Sequence, residues 1–149
     1  QGKLVAEHLA GEKMEWDENF LPTVIHSNPP IVSVGLTEAE VEEYEIDATI
    51  SQIPLQSNGF AQVTGKKDGF IKVISEKDTS IIQGIHMIGE GAVELSSTFV
   101  QALEMVAKEE DLTFPFYPHP SLNEGFLEAV EELLGQAIHV PPPRVKQKI

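Results

Sequence analysis

The chain contains no cysteine, which removes a disulfide framework, a thiolate metal site and a cysteine nucleophile together, and leaves the redox compartment unreadable from cysteine usage. Cations are scarce as well: 10 Lys and Arg stand against 24 Asp and Glu, a formal net charge of −14. Phosphate backbones reward clustered cations because each neutralised phosphate releases condensed counterions, so no nucleic-acid partner is expected. An anionic membrane surface is disfavoured on the same ground, and no apolar run approaches the roughly 20 residues that cross a bilayer. There is no glycine-rich dinucleotide fingerprint, and no basic stretch followed by a short apolar core and a cleavage site. A cytoplasmic home is the default expectation.

What remains is enough for one domain: 149 residues, 41% of them hydrophobic, fit a single core. Leu4, Val5, His8 and Leu9 recur at helical spacing before Gly11, so residues 1–13 read as the end of a helix that began upstream. Residues 14–140 read as the domain proper, with Trp16 as a contact to a missing neighbour. The tail 141–149, rich in proline and cations, is expected to be extended or disordered.

Thr23–His26 and Ile31–Gly35 are short β-prone runs parted by Asn28-Pro29-Pro30, and Thr37-Glu38-Ala39-Glu40 has the form of a capping box opening a short acidic helix. Ala48–Ile53 is strand-like, and Pro54–Lys67 reads as loop around Asn58-Gly59. Gly69–Ile74 and Ser80–Ile88 make the best strand pair, joined by the polar turn Glu76–Thr79. Ala92–Ala107 keeps helical spacing, with Lys108 placed to complement its dipole. The prolines of Thr113–Pro120 exclude helix, and Ser121–Leu134 forms a last helix closed by Gly135. Strands grouped together and flanked by helices give an α+β fold with an antiparallel sheet covered on one side.

The stretch Phe116-Tyr117-Pro118-His119-Pro120-Ser121-Leu122-Asn123-Glu124 carries the chemistry. Pro118 and Pro120 restrict the backbone around His119, and a carboxylate five residues on at a helix start suits an acid/base dyad, since histidine exchanges a proton near neutral pH. Ser121-Leu122-Asn123-Glu124 is equally a capping box in which Glu124 merely bonds back to Ser121, and pattern alone favours that reading. His86, between Ile85 and Met87, reads as a structural histidine, and Glu94 as a first-turn carboxylate. His8, His26, His86, His119 and His139 are dispersed, so no metal site is expected.

His119-Pro120-Ser121-Leu122-Asn123-Glu124 resembles the His-Pro-Thr-x-x-Glu signature of the pyridine nucleotide-disulfide oxidoreductases of dihydrolipoamide dehydrogenase type. Leu21–Pro29 is similar to the segment by which those chains enter their C-terminal interface domain, and Val34-Gly35-Leu36-Thr37-Glu38 to the segment that follows. Gly69–Val73 and Gly84–Leu95 resemble the family's next strand and its strand-to-helix turn. The order of these segments is also the family's order. Departures are Pro30 for an acidic residue, Ser121 for threonine, Tyr117-Pro118 for His-Ala, and an Asn58-Gly59-Phe60-Ala61 segment without its arginine; the serine is expected to keep capping the helix.

The resemblance implies a dimerisation domain that follows a FAD domain, whose helix would end in residues 1–13. It also implies a homodimer in which His119, oriented by Glu124, acts as acid/base at the partner subunit's redox disulfide, with His119 and Pro120 in contact with the partner's FAD. The full-length protein would use FAD and NAD to oxidise dihydrolipoamide and would assemble with 2-oxo acid dehydrogenase complex components. This chain alone would bind neither cofactor and would be inactive. Glutathione or mercuric reductase relatives are the alternative, disfavoured by the helix through Gly135 and the Ile138-His139 segment; a non-catalytic dimerisation module is a third.

Overall fold

The computed structural model describes residues 2–13 and 20–140. Trp16 and the tail 141–149, for which expectations were stated above, lie outside the described residues.

Five strands form one antiparallel sheet in the order β1-β2-β5-β4-β3: β1 (Thr23–Ile25), β2 (Ile31–Gly35), β3 (Ala48–Pro54), β4 (Phe70–Glu76) and β5 (Ile82–Ile88). The register explains how alternation builds the core. Val32, Met87, Ile71 and Ile53 stand in one cross-strand row, and Val34, Ile85, Val73 and Ser51 in another; all eight are buried. The intervening row, Ser33, His86, Lys72 and Gln52, faces the other side because successive side chains alternate across a sheet.

Two helices cover the apolar face. Helix α4 (Ala92–Glu104) packs on β2 and β5, and α6 (Asn123–Leu133) on β3 and β4. They meet through Phe99 and Phe126, both fully buried, with ring centroids 5.2 Å apart and planes tilted by 55°, a favourable aromatic arrangement. Ser51 donates to the Ala129 carbonyl at 2.5 Å, tying β3 to α6 inside the core. The expected α+β architecture is thus present, and Thr37 caps α2 (Glu38–Glu43) through the capping box seen in the sequence. Helix α1 (Gly2–Leu9) ends before Gly11 at φ 91 and buries none of its residues, leaving Val5 and Leu9 exposed.

Four expectations need correction. Residues 54–67 are not loop throughout: Pro54 ends β3, Leu55–Ser57 makes a 3-10 turn and Gly59–Thr64 forms α3, because Asn58 accepts from the Ala61 amide at 2.9 Å while Leu55 and Ala61 enter the core; 65–67 stay irregular. Helix α4 stops at Glu104, since Ile82 donates to the Ala107 carbonyl and Ile81 bridges Lys108, drawing the chain onto the start of β5. Val106 then takes a left-handed φ of 53. Lys108 precedes a further short helix, α5 (Glu109–Thr113), instead of complementing the end of α4. Finally, α6 begins at Asn123, not Ser121.

Candidate functional site

The loop between α5 and α6 is held from several directions. The Tyr117 hydroxyl donates to the Leu112 carbonyl at 2.6 Å, and burial, followed by the nearby Glu131 charge, pushes that phenol above its ordinary value. The His119-Pro120 peptide is cis. Asn58 is buried and uses both ends of its amide: Oδ1 caps α3, and Nδ2 donates to the Ser121 carbonyl at 3.0 Å. Gly125 lets α6 approach, because a Cβ there would stand 3.3 Å from Ile71 Cδ1 and 3.4 Å from Asn58 Nδ2.

On this frame the two oxygens of the Glu124 carboxylate take different partners. Oε1 lies 2.8 Å from His119 Nδ1, and Oε2 accepts from the Ser121 amide at 2.8 Å. Burial raises the Glu124 carboxyl, but the His119 bond and then the Ser121 amide outweigh it and hold the group below its ordinary value. An ionised carboxylate only accepts, so Nδ1 carries the proton and Nε2 is the basic atom of His119. The imidazole is largely open to solvent, with 81% of its side-chain surface exposed. The expected Ser121 cap does not form: its hydroxyl is buried without a hydrogen-bond partner among the described residues, since Ser121 sits one residue before the Leu122 N-cap.

His119 and Glu124 share an open groove of about 330 Å³ with Glu128, Glu131 and His139. The sequence reading missed Asn58 as a support, its Asn-Gly pair signalling a turn, and missed the pairing of His139 with Glu128. The four-residue spacing of Glu124 and Glu128, which places them on one helix face, was the signal available.

The other candidates lie elsewhere. Ser33 donates to His86 Nδ1 at 2.7 Å and His86 Nε2–H donates to the Leu36 carbonyl at 3.0 Å, so both ring nitrogens are engaged across the sheet. Burial, the largest influence, lowers that imidazole's affinity for a proton. Glu94 is exposed in the first turn of α4. Among the described residues no group of three or more His, Asp or Glu is arranged to hold a metal, and no helix is long and apolar enough to cross a membrane.

An antiparallel sheet with helices packed over one face, and a loop presenting a carboxylate-bound histidine, make this an α+β domain. Residues 21–130 match the family model described as pyridine nucleotide-disulphide oxidoreductase, dimerisation domain, and the chain belongs to that family. Dihydrolipoyl dehydrogenase of Haloferax volcanii is 37% identical over 139 residues, covering 93% of this chain and 29% of that protein. Dihydrolipoyl dehydrogenase of Bacillus subtilis is 35% identical over 140 residues, covering 94% and 30%. The chain therefore spans less than a third of the relatives it matches. Among solved structures, LpdA of Mycobacterium tuberculosis superposes with a TM-score of 0.80 at 22% identity, over 89% of this chain and 29% of that one. The HOCl-induced flavoprotein disulfide reductase RclA of Escherichia coli superposes with a TM-score of 0.79 at 21% identity, over 87% and 30%. These two likenesses establish the fold.

Proposed function

We propose that this chain is the dimerisation unit of a cytoplasmic, FAD- and NAD-dependent dihydrolipoyl dehydrogenase, in which His119 and Glu124 handle protons at a redox disulfide carried by a second copy. The observation that carries the reading is the bond from His119 Nδ1 to Glu124 Oε1, made by a ring otherwise open to solvent. Such a histidine serves a reaction partner presented from outside the chain, and the chain has no cysteine of its own. The dihydrolipoyl dehydrogenase relatives supply the reaction class.

Nε2 takes the proton of an incoming dithiol, whose sulfur becomes the thiolate that attacks the partner's disulfide. The imidazolium so formed is stabilised by Glu124 and lies beside the thiolate released from that disulfide. His119 and Pro120 are both exposed on a loop fixed by Tyr117 and Asn58, an edge suited to abutting a flat group held by another subunit. FAD, bound in the remainder of the full-length protein, would supply the two-electron path from the dithiol to NAD. Homodimerisation follows from this sharing of the site, and 2-oxo acid dehydrogenase components carrying the lipoyl group are the partners.

The test is steady-state turnover of the full-length flavoprotein with dihydrolipoamide and with glutathione as the competing class, for wild type and His119→Gln. Dihydrolipoamide turnover should fall by about 10² or more with FAD retained, the scale of lost general acid/base help. Normal turnover in His119→Gln, or a preference for glutathione, would overturn the proposal.

A further inference from the structure

Helix α6 holds a second carboxylate that engages an imidazole, one turn beyond Glu124. Glu128 is buried, yet its two oxygens accept three hydrogen bonds: Oε1 from the amides of Ile138 at 2.6 Å and His139 at 2.5 Å, and Oε2 from His139 Nδ1 at 2.9 Å. Withdrawing a carboxylate from water is costly unless its partners compensate, and a neutral side chain would pack there without that cost. What the charge gains is a grip on two successive backbone amides of a segment returning 10 and 11 residues later. The return lays Ile138 and His139 into the groove that contains His119 and Glu124. Leu127 and Ile138 add apolar surface beside the imidazoles, a lining that fits an alkyl arm ending in a dithiol.

We infer that Glu128 and His139 are positioning residues of the dithiol site: their clasp holds the Ile138–His139 segment as the wall that guides the substrate arm to His119. The inference rests on the function proposed above. His139 faces Glu128, Glu124 and Glu131 from α6 and shares the groove with His119, while Ser57, Asn58 and Gly59 on the opposite side bring no ionisable group. The bond to Glu128, then its charge, raises the proton affinity of His139. The clasp is therefore charge-assisted while the imidazole holds its proton and the carboxylate is ionised, and it weakens as the pH rises through that raised value.

The experiment measures KM and kcat for dihydrolipoamide in the full-length, FAD-loaded enzyme as wild type, His139→Ala, His139→Gln and Glu128→Gln. His139 is mostly exposed, so its replacement leaves the core intact even where Glu128→Gln fails to fold. His139→Ala should raise KM about five- to tenfold, the worth of one charge-assisted hydrogen bond, with kcat within about twofold. His139→Gln, whose amide can still donate to Glu128, should recover most of the loss. Wild-type KM should climb from about pH 6 to pH 9 as the imidazole titrates, and this climb should flatten in both His139 variants. Unchanged KM and pH dependence in His139→Ala overturn the inference, as does a loss confined to kcat or to FAD content. With His119→Gln inactive, that result refutes the clasp alone; with His119→Gln fully active, the underlying function fails and the clasp's role falls with it.

Discussion

His119 and Glu124 meet at 2.8 Å, and the carboxylate oxygen that does not touch the imidazole accepts from the amide of Ser121. One carboxylate therefore fixes a tautomer and a helix start together, and neither duty displaces the other. Replacing Glu124 with Gln keeps the size but removes the ionised acceptor that stabilises an imidazolium. Dihydrolipoamide turnover of the full-length protein should fall by about 10² or more with FAD still bound. Turnover within a few-fold of wild type would show that Glu124 is a helix cap and nothing further.

The same carboxylate sets an acid limit. Its folded-state proton affinity is lowered, with burial opposing and the His119 and Ser121 bonds prevailing, so its contribution to stability is present above the unfolded carboxyl value, about 4.3, and is lost as pH falls through the folded value. Thermal unfolding of wild type and Glu124→Gln, compared from neutral pH downward, should converge in acid. A constant gap at every pH would rule out this linkage.

His139 should act with the opposite sign. Its proton affinity is raised by Glu128, so the pair stabilises below the unfolded imidazole value, about 6.5, and loses that contribution as pH rises through the folded value. The difference in melting temperature between wild type and His139→Gln should shrink from pH 6 to pH 9, and widening over that range would contradict the pairing.

Asn58 supports the site from below. Its buried amide joins the start of α3 to the Ser121 carbonyl, and truncation strands both partners. Asn58→Ala should cost about 1–3 kcal/mol in chemical denaturation, the penalty for unsatisfied buried polar groups, and should lower dithiol turnover by loosening the His119 loop. A silent substitution would detach the loop from α3.

Much of the fold was legible because alternation is a local signal: β2, β4 and β5 appear close to where the β-prone runs end, and the Thr37 capping box opens α2 as written. Helix α3 was not, since Asn58-Gly59 has the chemistry of a turn and only burial of Leu55 and Ala61 against the sheet decides for a helix. The early end of α4 likewise depends on a bond to Ile82, far away in sequence. At the site, sequence placed His119 and Glu124 in one short segment but left open whether Glu124 bonds the imidazole or the Ser121 amide, and the structure shows both bonds, on separate oxygens. The Glu128–His139 clasp was hidden because its partners belong to a helix and to the segment that returns after Gly135.

The central claim is that His119 serves a site completed by a second copy, and subunit complementation tests it most directly. Full-length His119→Gln subunits would be coexpressed with subunits whose redox cysteine pair is replaced by serine, and dihydrolipoamide turnover measured in the purified mixed dimer. Each parent homodimer should be inactive, while the mixed dimer, holding one intact His119 opposite one intact disulfide, should regain turnover. A mixed dimer as inactive as its parents would contradict the account.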